Sequence, residues 1–124
     1  MNRKTFIKKT ADLIQKALKL NDKAKENGIV SLENEIFNCD DDDFSRGLTF
    51  VVDGANPVII DEYLTNKISF VKDKHTRLYK TIMKRAVLGI QAQENTRNLF
   101  YVLTSCARLT KEEQQKIEAL LYGE

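Results

Sequence analysis

Asp40-Asp41-Asp42-Asp43 is the densest concentration of potential metal-binding side chains in this sequence. A calcium loop alternates its oxygen ligands, turns on a central glycine and closes on a bidentate glutamate, and the acidic run has none of these. The reading that fits is the start of a helix, where carboxylates cap free backbone N–H groups and meet the positive end of the dipole. Cys39 and Cys106 stand without CxxC spacing or a histidine cluster, so they build neither a zinc site nor a disulfide framework and are read as buried thiols. His75, the one histidine, falls between Val71 and Leu78 on an apolar stripe. Nucleophilic and acid–base catalysis need a base oriented beside a nucleophile, and no such set can be assembled. The five glycines are scattered and form no phosphate loop. No enzyme activity, metal or cofactor is expected. Lys72, Arg77, Lys80, Lys84 and Arg85 could contact phosphates, but Asp73 lies among them and no aromatic platforms are interleaved, which argues against nucleic acid.

The 124 residues, 42% hydrophobic, suffice for one domain spanning 1–124. Twenty basic and 18 acidic residues leave a net charge of +2, too weak a field to steer the chain toward a polyanion. No run approaches the roughly 20 apolar residues of a membrane helix, and the basic N-terminus lacks the apolar core of a signal peptide. The expectation is a cytoplasmic protein with no membrane insertion.

The elements that must hold these residues all read as helix: an all-α domain of five to six helices. Residues 3–27 carry Phe6, Ile7, Thr10, Ile14, Ala17, Leu18 and Ala24 on one stripe, with Arg3, Lys4, Lys8 and Lys9 on a solvated face. Asn27-Gly28 ends that helix, and Ile29 to Phe37 forms the next with Leu32, Ile36 and Phe37 inward. Phe44, Leu48, Val51 and Val52 face the core from a third helix, which Asp53-Gly54 stops. Asn56-Pro57 starts a fourth. From Pro57 the apolar stripe runs through Ile60, Leu64, Ile68, Val71, Leu78, Ile82, Ala86 and Ile90, which predicts one helix to Gln93, about 55 Å long. Such a helix outreaches a domain whose radius of gyration is about 14 Å. It predicts a homodimer with exchanged or paired helices, the competing arrangement being a turn near Lys80 to Lys84. Glu94-Asn95-Thr96 breaks the pattern. Arg97 to Arg108 follows with Leu99, Val102, Leu103 and Cys106 on one side, and a capping box at Thr110 and Glu113 opens a last helix with Ile117, Leu120 and Leu121 inward.

Ala24-Lys25-Glu26-Asn27-Gly28-Ile29-Val30-Ser31-Leu32-Glu33, then Phe44, Arg46-Gly47-Leu48, Val52-Asp53-Gly54, Pro57, Ile60 and Lys74-His75, resembles the cytoplasmic loop of the flagellar motor stator protein MotA. Downstream, Val87-Leu88-Gly89-Ile90-Gln91-Ala92, Glu94-Asn95 and Arg97 resemble the cytoplasmic tail that follows the last membrane helix of that family. The family has a pair of membrane helices between these segments. Here about ten mostly polar residues take their place, too few to cross a bilayer. The earlier pair has no counterpart either, so the resemblance does not imply ion conduction. A soluble paralogue and a fusion of cytoplasmic parts would both have this pattern. Thr96 and Gln93 depart from the family, which usually has Pro and Gly there. The resemblance implies a non-enzymatic protein acting through protein–protein contacts at the motor, on the rotor switch protein or other motor components. It makes Lys25 and Glu33 the partner-binding charges. A helical adaptor or regulator in an unrelated assembly is the alternative.

Overall fold

A computed structural model describes residues 1–123. Its longest helix, α1 (Arg3–Asn27), begins where the Asn2 side chain accepts from the Thr5 N–H and ends at Gly28, whose φ of 87° is open only to glycine at low cost. The residues expected on its apolar stripe are buried, apart from the half-buried Ile7, and Ala11, Leu13, Leu20 and Asn21 join them. The buried face is wider than one stripe because α1 is cradled on several sides, by α5, α6, α7 and the turn that follows it.

That turn is a 3-10 segment, Ile29–Leu32, leading into a one-turn helix, α2 (Glu33–Ile36). Leu32 is fully buried and Ile36 half-buried, but Phe37 is 89% exposed, contrary to its predicted inward position. The helix stops at Ile36, so the side chain after it is carried past the core edge instead of back onto it.

Asp41 caps α3 (Asp42–Val52), its side chain accepting from the backbone N–H groups of Asp43 and Phe44, as the acidic run required. Asn56 and Pro57 open α4 (Pro57–Ser69). The single long helix is not formed. The chain breaks between Ser69 and Lys74, and Asp73 recaps α5 (Lys74–Gln91) by accepting from both the backbone N–H and the hydroxyl of Thr76. Asp73 is therefore a start signal inside an otherwise continuous pattern, and Phe70 beside it is 83% exposed. α5 folds back along α4, with the Lys84 ammonium reaching Thr65 at 3.0 Å and Asp61 at 2.9 Å. The stripe is covered within the chain, so the extended helix that motivated an exchanged dimer is absent. The turn near Lys80 to Lys84 is absent too: Ile82 and Met83, fully buried, lie in mid-helix. The split makes seven α-helices among the described residues instead of five to six.

α6 (Thr96–Cys106) and α7 (Lys111–Tyr122) complete the chain, α7 opening on the predicted capping box of Thr110 and Glu113. Ile117 is buried and Leu121 packs against the core. Leu120, expected inward, is 67% exposed, because α7 turns Ile117, Leu121 and Tyr122 to the core and leaves Leu120 at the edge of that face.

One hydrophobic cluster draws on α1, the 3-10 turn and α3 to α7. α3 lies close against α5, where a Cβ at Gly47 would stand 2.9 Å from Val87 Cγ2. At the α5–α6 corner a Cβ at Gly89 would lie 2.6 Å from both Glu94 Oε1 and Leu99 Cδ1. The corner is latched to α1 by the fully buried Asn21, whose Nδ2 donates to the Glu94 carbonyl at 2.7 Å and to Thr96 Oγ1 at 3.1 Å. No helix of the described residues is long and apolar enough to cross a membrane.

An ion pair ties the start of α1 to the start of α7. Arg3 Nε and Nη2 donate to Glu113 Oε2 and Oε1 at 3.0 and 2.6 Å, so Arg3 is not simply part of a solvated face. The Arg3 hydrogen bonds, with the Thr110 backbone N–H, pull the Glu113 carboxyl down to about 2 from its ordinary 4.5. A depressed carboxylate contributes stability above its unfolded value that is lost as pH falls through the folded one. The melting-temperature gap between wild type and Glu113→Gln should therefore be constant above about pH 5 and close between about 4.5 and 2. A gap that persists unchanged at pH 2 would show that the charge on Glu113 is irrelevant.

Candidate functional site

Lys25 and Glu33 lie on either side of the corner that Gly28 makes between α1 and α2. Lys25 sits in the last turn of α1, where a cation meets the negative end of the helix dipole, and Glu33 in the first turn of α2, where an anion meets the positive end. Both are exposed, and neither makes an ion pair among the described residues. Their neighbours hold the corner stiff. Lys23 Nζ bridges α1 to Glu35 Oε1 at 2.9 Å, Ser31 Oγ donates to the Gly28 carbonyl at 2.6 Å, and Leu32 is anchored in the core.

Two residues that sequence reasoning missed flank this pair. In a 3-10 turn side chains at i and i+3 eclipse, which aligns Val30 with Glu33. In the helical turn that follows, Phe37 lies four residues beyond Glu33 on the same face. Val30 is 67% and Phe37 89% exposed, so Glu33 stands in an outward strip between two apolar side chains. The only sequence signal for this was the brevity of the helix before Cys39, which periodicity over one turn cannot resolve.

The other candidate groups have structural employment. Lys80, read as a possible phosphate contact, instead bridges the acidic run, with its ammonium 2.6 Å from Asp41 Oδ2 and 3.2 Å from Asp43 Oδ2. Lys84 pairs with Asp61, and Arg85 donates two bonds to the Glu94 carboxylate at 2.9 and 2.8 Å. On α5 this leaves Lys74 and Arg77 exposed, with Lys72 exposed in the break just before the helix. The His75 ring is half-buried against Phe6, with centroids 5.1 Å apart. Cys39 and Cys106 are free, and both are half-buried instead of sealed in the core. Burial pushes the Cys39 thiol up from its ordinary value, and Sγ donates to the Glu35 carbonyl at 3.5 Å. A raised thiol is a poor nucleophile.

The two departures from the MotA-like pattern fall on positions with a conformational demand. Gln93 has a φ of 51°, the left-handed region that glycine takes without penalty. Its side chain offsets part of that strain by donating to the Ala24 carbonyl at 3.1 Å. Thr96 is the first residue of α6, the position proline favours, and its hydroxyl donates to Asp22 while accepting from Asn21.

No protein-family model matches the chain, and no solved structure does. Among curated proteins, the chain is 32% identical over 77 residues to Motility protein A of Borreliella burgdorferi, covering 60% of this chain and 30% of that protein. It is 31% identical over 78 residues to Motility protein A of Treponema phagedenis and to that of Treponema pallidum, in each case covering 63% of this chain and 30% of the relative. The matched stretch spans 30% of the length of these relatives. The chain is MotA-like, similar over more than half its length to one part of motility protein A.

Proposed function

We propose that this chain is a non-enzymatic docking module of the flagellar motor, working in the cytoplasm through contacts with the rotor switch protein or with the stator. What carries the reading is the Lys25–Glu33 corner: two opposite charges on a MotA-like segment, exposed and without ion-pair partners among the described residues. Exposed complementary charges steer encounter and fix register, while adjoining apolar side chains supply affinity that salt does not screen. Val30 and Phe37 are placed for that second part. Lysine at position 25 supplies charge without the planar fork of arginine, so its contact is steered more than it is geometrically keyed.

The test is binding of the purified rotor switch protein in two salts. Lys25→Glu with Glu33→Lys should weaken the complex about tenfold at low ionic strength, with the loss shrinking toward unity at high salt. Phe37→Ser should weaken it by a factor that salt leaves unchanged. Equal binding by wild type and the double reversal at low salt would remove the corner from the interface.

A further inference from the structure

We infer that the groove between α1 and α7 is the seat of an acidic amphipathic helix from a partner protein, at a site separate from the Lys25–Glu33 corner. The groove has a volume of about 890 Å³. Its apolar floor includes Ile7 from α1 and Ile117 from α7. Leu120 is 67% exposed at its edge, a large aliphatic side chain with no cover. Lys4, Lys8 and Lys116 stand around the groove, and all three are exposed. None of them makes an ion pair among the described residues, and the one acid at the groove, Glu113, is engaged by Arg3. The site therefore offers an apolar trough and uncompensated positive charge.

That combination selects its occupant. Two roughly aligned helices present ridges at i, i+3 and i+4 spacing, and the complementary shape is a third helix laid into the trough. A second copy docking groove to groove would set lysines against lysines, because a two-fold interface brings the same surface patch to both sides. An incoming helix with apolar residues at i, i+3, i+4 and i+7 and carboxylates on its flanks satisfies floor and rim together. Lys8 and Lys25 are about 25 Å apart along α1, so one chain could hold both partners at once. This inference does not rest on the role proposed for the corner.

The probe is a 16-residue peptide with leucines at i, i+3, i+4 and i+7 and glutamates on both flanks, titrated into the isotopically labelled full chain and followed by amide chemical shifts. Shifts should concentrate on the residues of α1 and α7 that line the groove. Leu120→Asp, at an exposed position that leaves the core intact, should weaken binding at least tenfold. Lys4→Glu combined with Lys8→Glu and Lys116→Glu should weaken it to a similar degree at low salt, and less at high salt. Binding of a lysine-flanked version as tight as that of the glutamate-flanked one would overturn the proposal. So would shifts confined elsewhere, a peptide-free dimer whose interface shifts map to the groove, or saturation by anionic phospholipid vesicles with no response to the peptide.

Discussion

Phe6→Ala is expected to lower the unfolding free energy by about 3–5 kcal/mol, as truncating a fully buried phenylalanine does. The ring is 0% exposed, stands 5.1 Å from His75 of α5, and lies beneath the Arg3 guanidinium at 5.3 Å. It therefore joins the start of α1 to the start of α5 and supports the arginine that reaches α7. Against a total stability of about 5–15 kcal/mol, the loss leaves the fold marginal. A drop of roughly 10–20 °C in melting temperature should accompany it. Phe37→Ala is the matched control. The same truncation at an 89% exposed ring should change stability by no more than about 0.5 kcal/mol. Urea denaturation of both variants checks the pair, and equal effects would contradict the outward placement of Phe37.

Lys80→Met should cost about 2 kcal/mol, at the level of a charge-assisted hydrogen bond whose acceptor is left without a donor. The Lys80 side chain is 18% exposed, so its two bridges are screened less than surface pairs and more than sealed ones. Its removal sets Asp41 beside Asp43 with only Lys67, 3.9 Å from Asp43 Oδ1, to offset their charge, and Asp41 is also the cap of α3. Burial opposes the charged ammonium, but the hydrogen bonds and charges of Asp41 and Asp43 outweigh it and raise Lys80 above its ordinary 10.5. A raised folded value means that the stabilisation is complete below the unfolded value and disappears as pH rises through the folded one. The difference between wild type and Lys80→Met should thus be flat at neutral pH and narrow only above about pH 10.5. A difference within 0.5 kcal/mol at pH 7 would class the bridge with ordinary surface pairs.

Most helix boundaries were legible because they are written in local chemistry. Gly28, Asp41, Gly54, Asn56-Pro57 and the Thr110–Glu113 box each satisfy or release backbone groups within a few residues, and each sits where its chemistry requires. The single long helix gives way to two because the capping side chain of Asp73 wins over an apolar pattern that α4 and α5 satisfy separately. Phe37 and Leu120 lie outward for a related reason: one turn of helix, or the last turns of a helix at the edge of the core, fix no phase. Lys25 and Glu33 were reached through their MotA-like setting, since charge alone does not distinguish them from other surface residues. The partnership of Lys80 with the acidic run spans 39 residues, and no local signal announces it. Gly47 and Gly89, quoted as parts of motifs, proved to be points where helices or side chains come too close for a Cβ.

The cradle around α1 also sets an order of events on the ribosome. This helix is synthesised before every element that covers it, and an isolated helix in water is held only marginally by its own propensity. Its wide apolar face finds lasting cover only once α5 and α6 have emerged, with Ile82, Ile90 and Leu103 among the last parts of the core to arrive. At the usual rate of elongation that interval is on the order of ten seconds. During it Phe6, Leu13, Ile14 and Leu18 are open to whatever hydrophobic surface is nearest, until the later half of the chain is made.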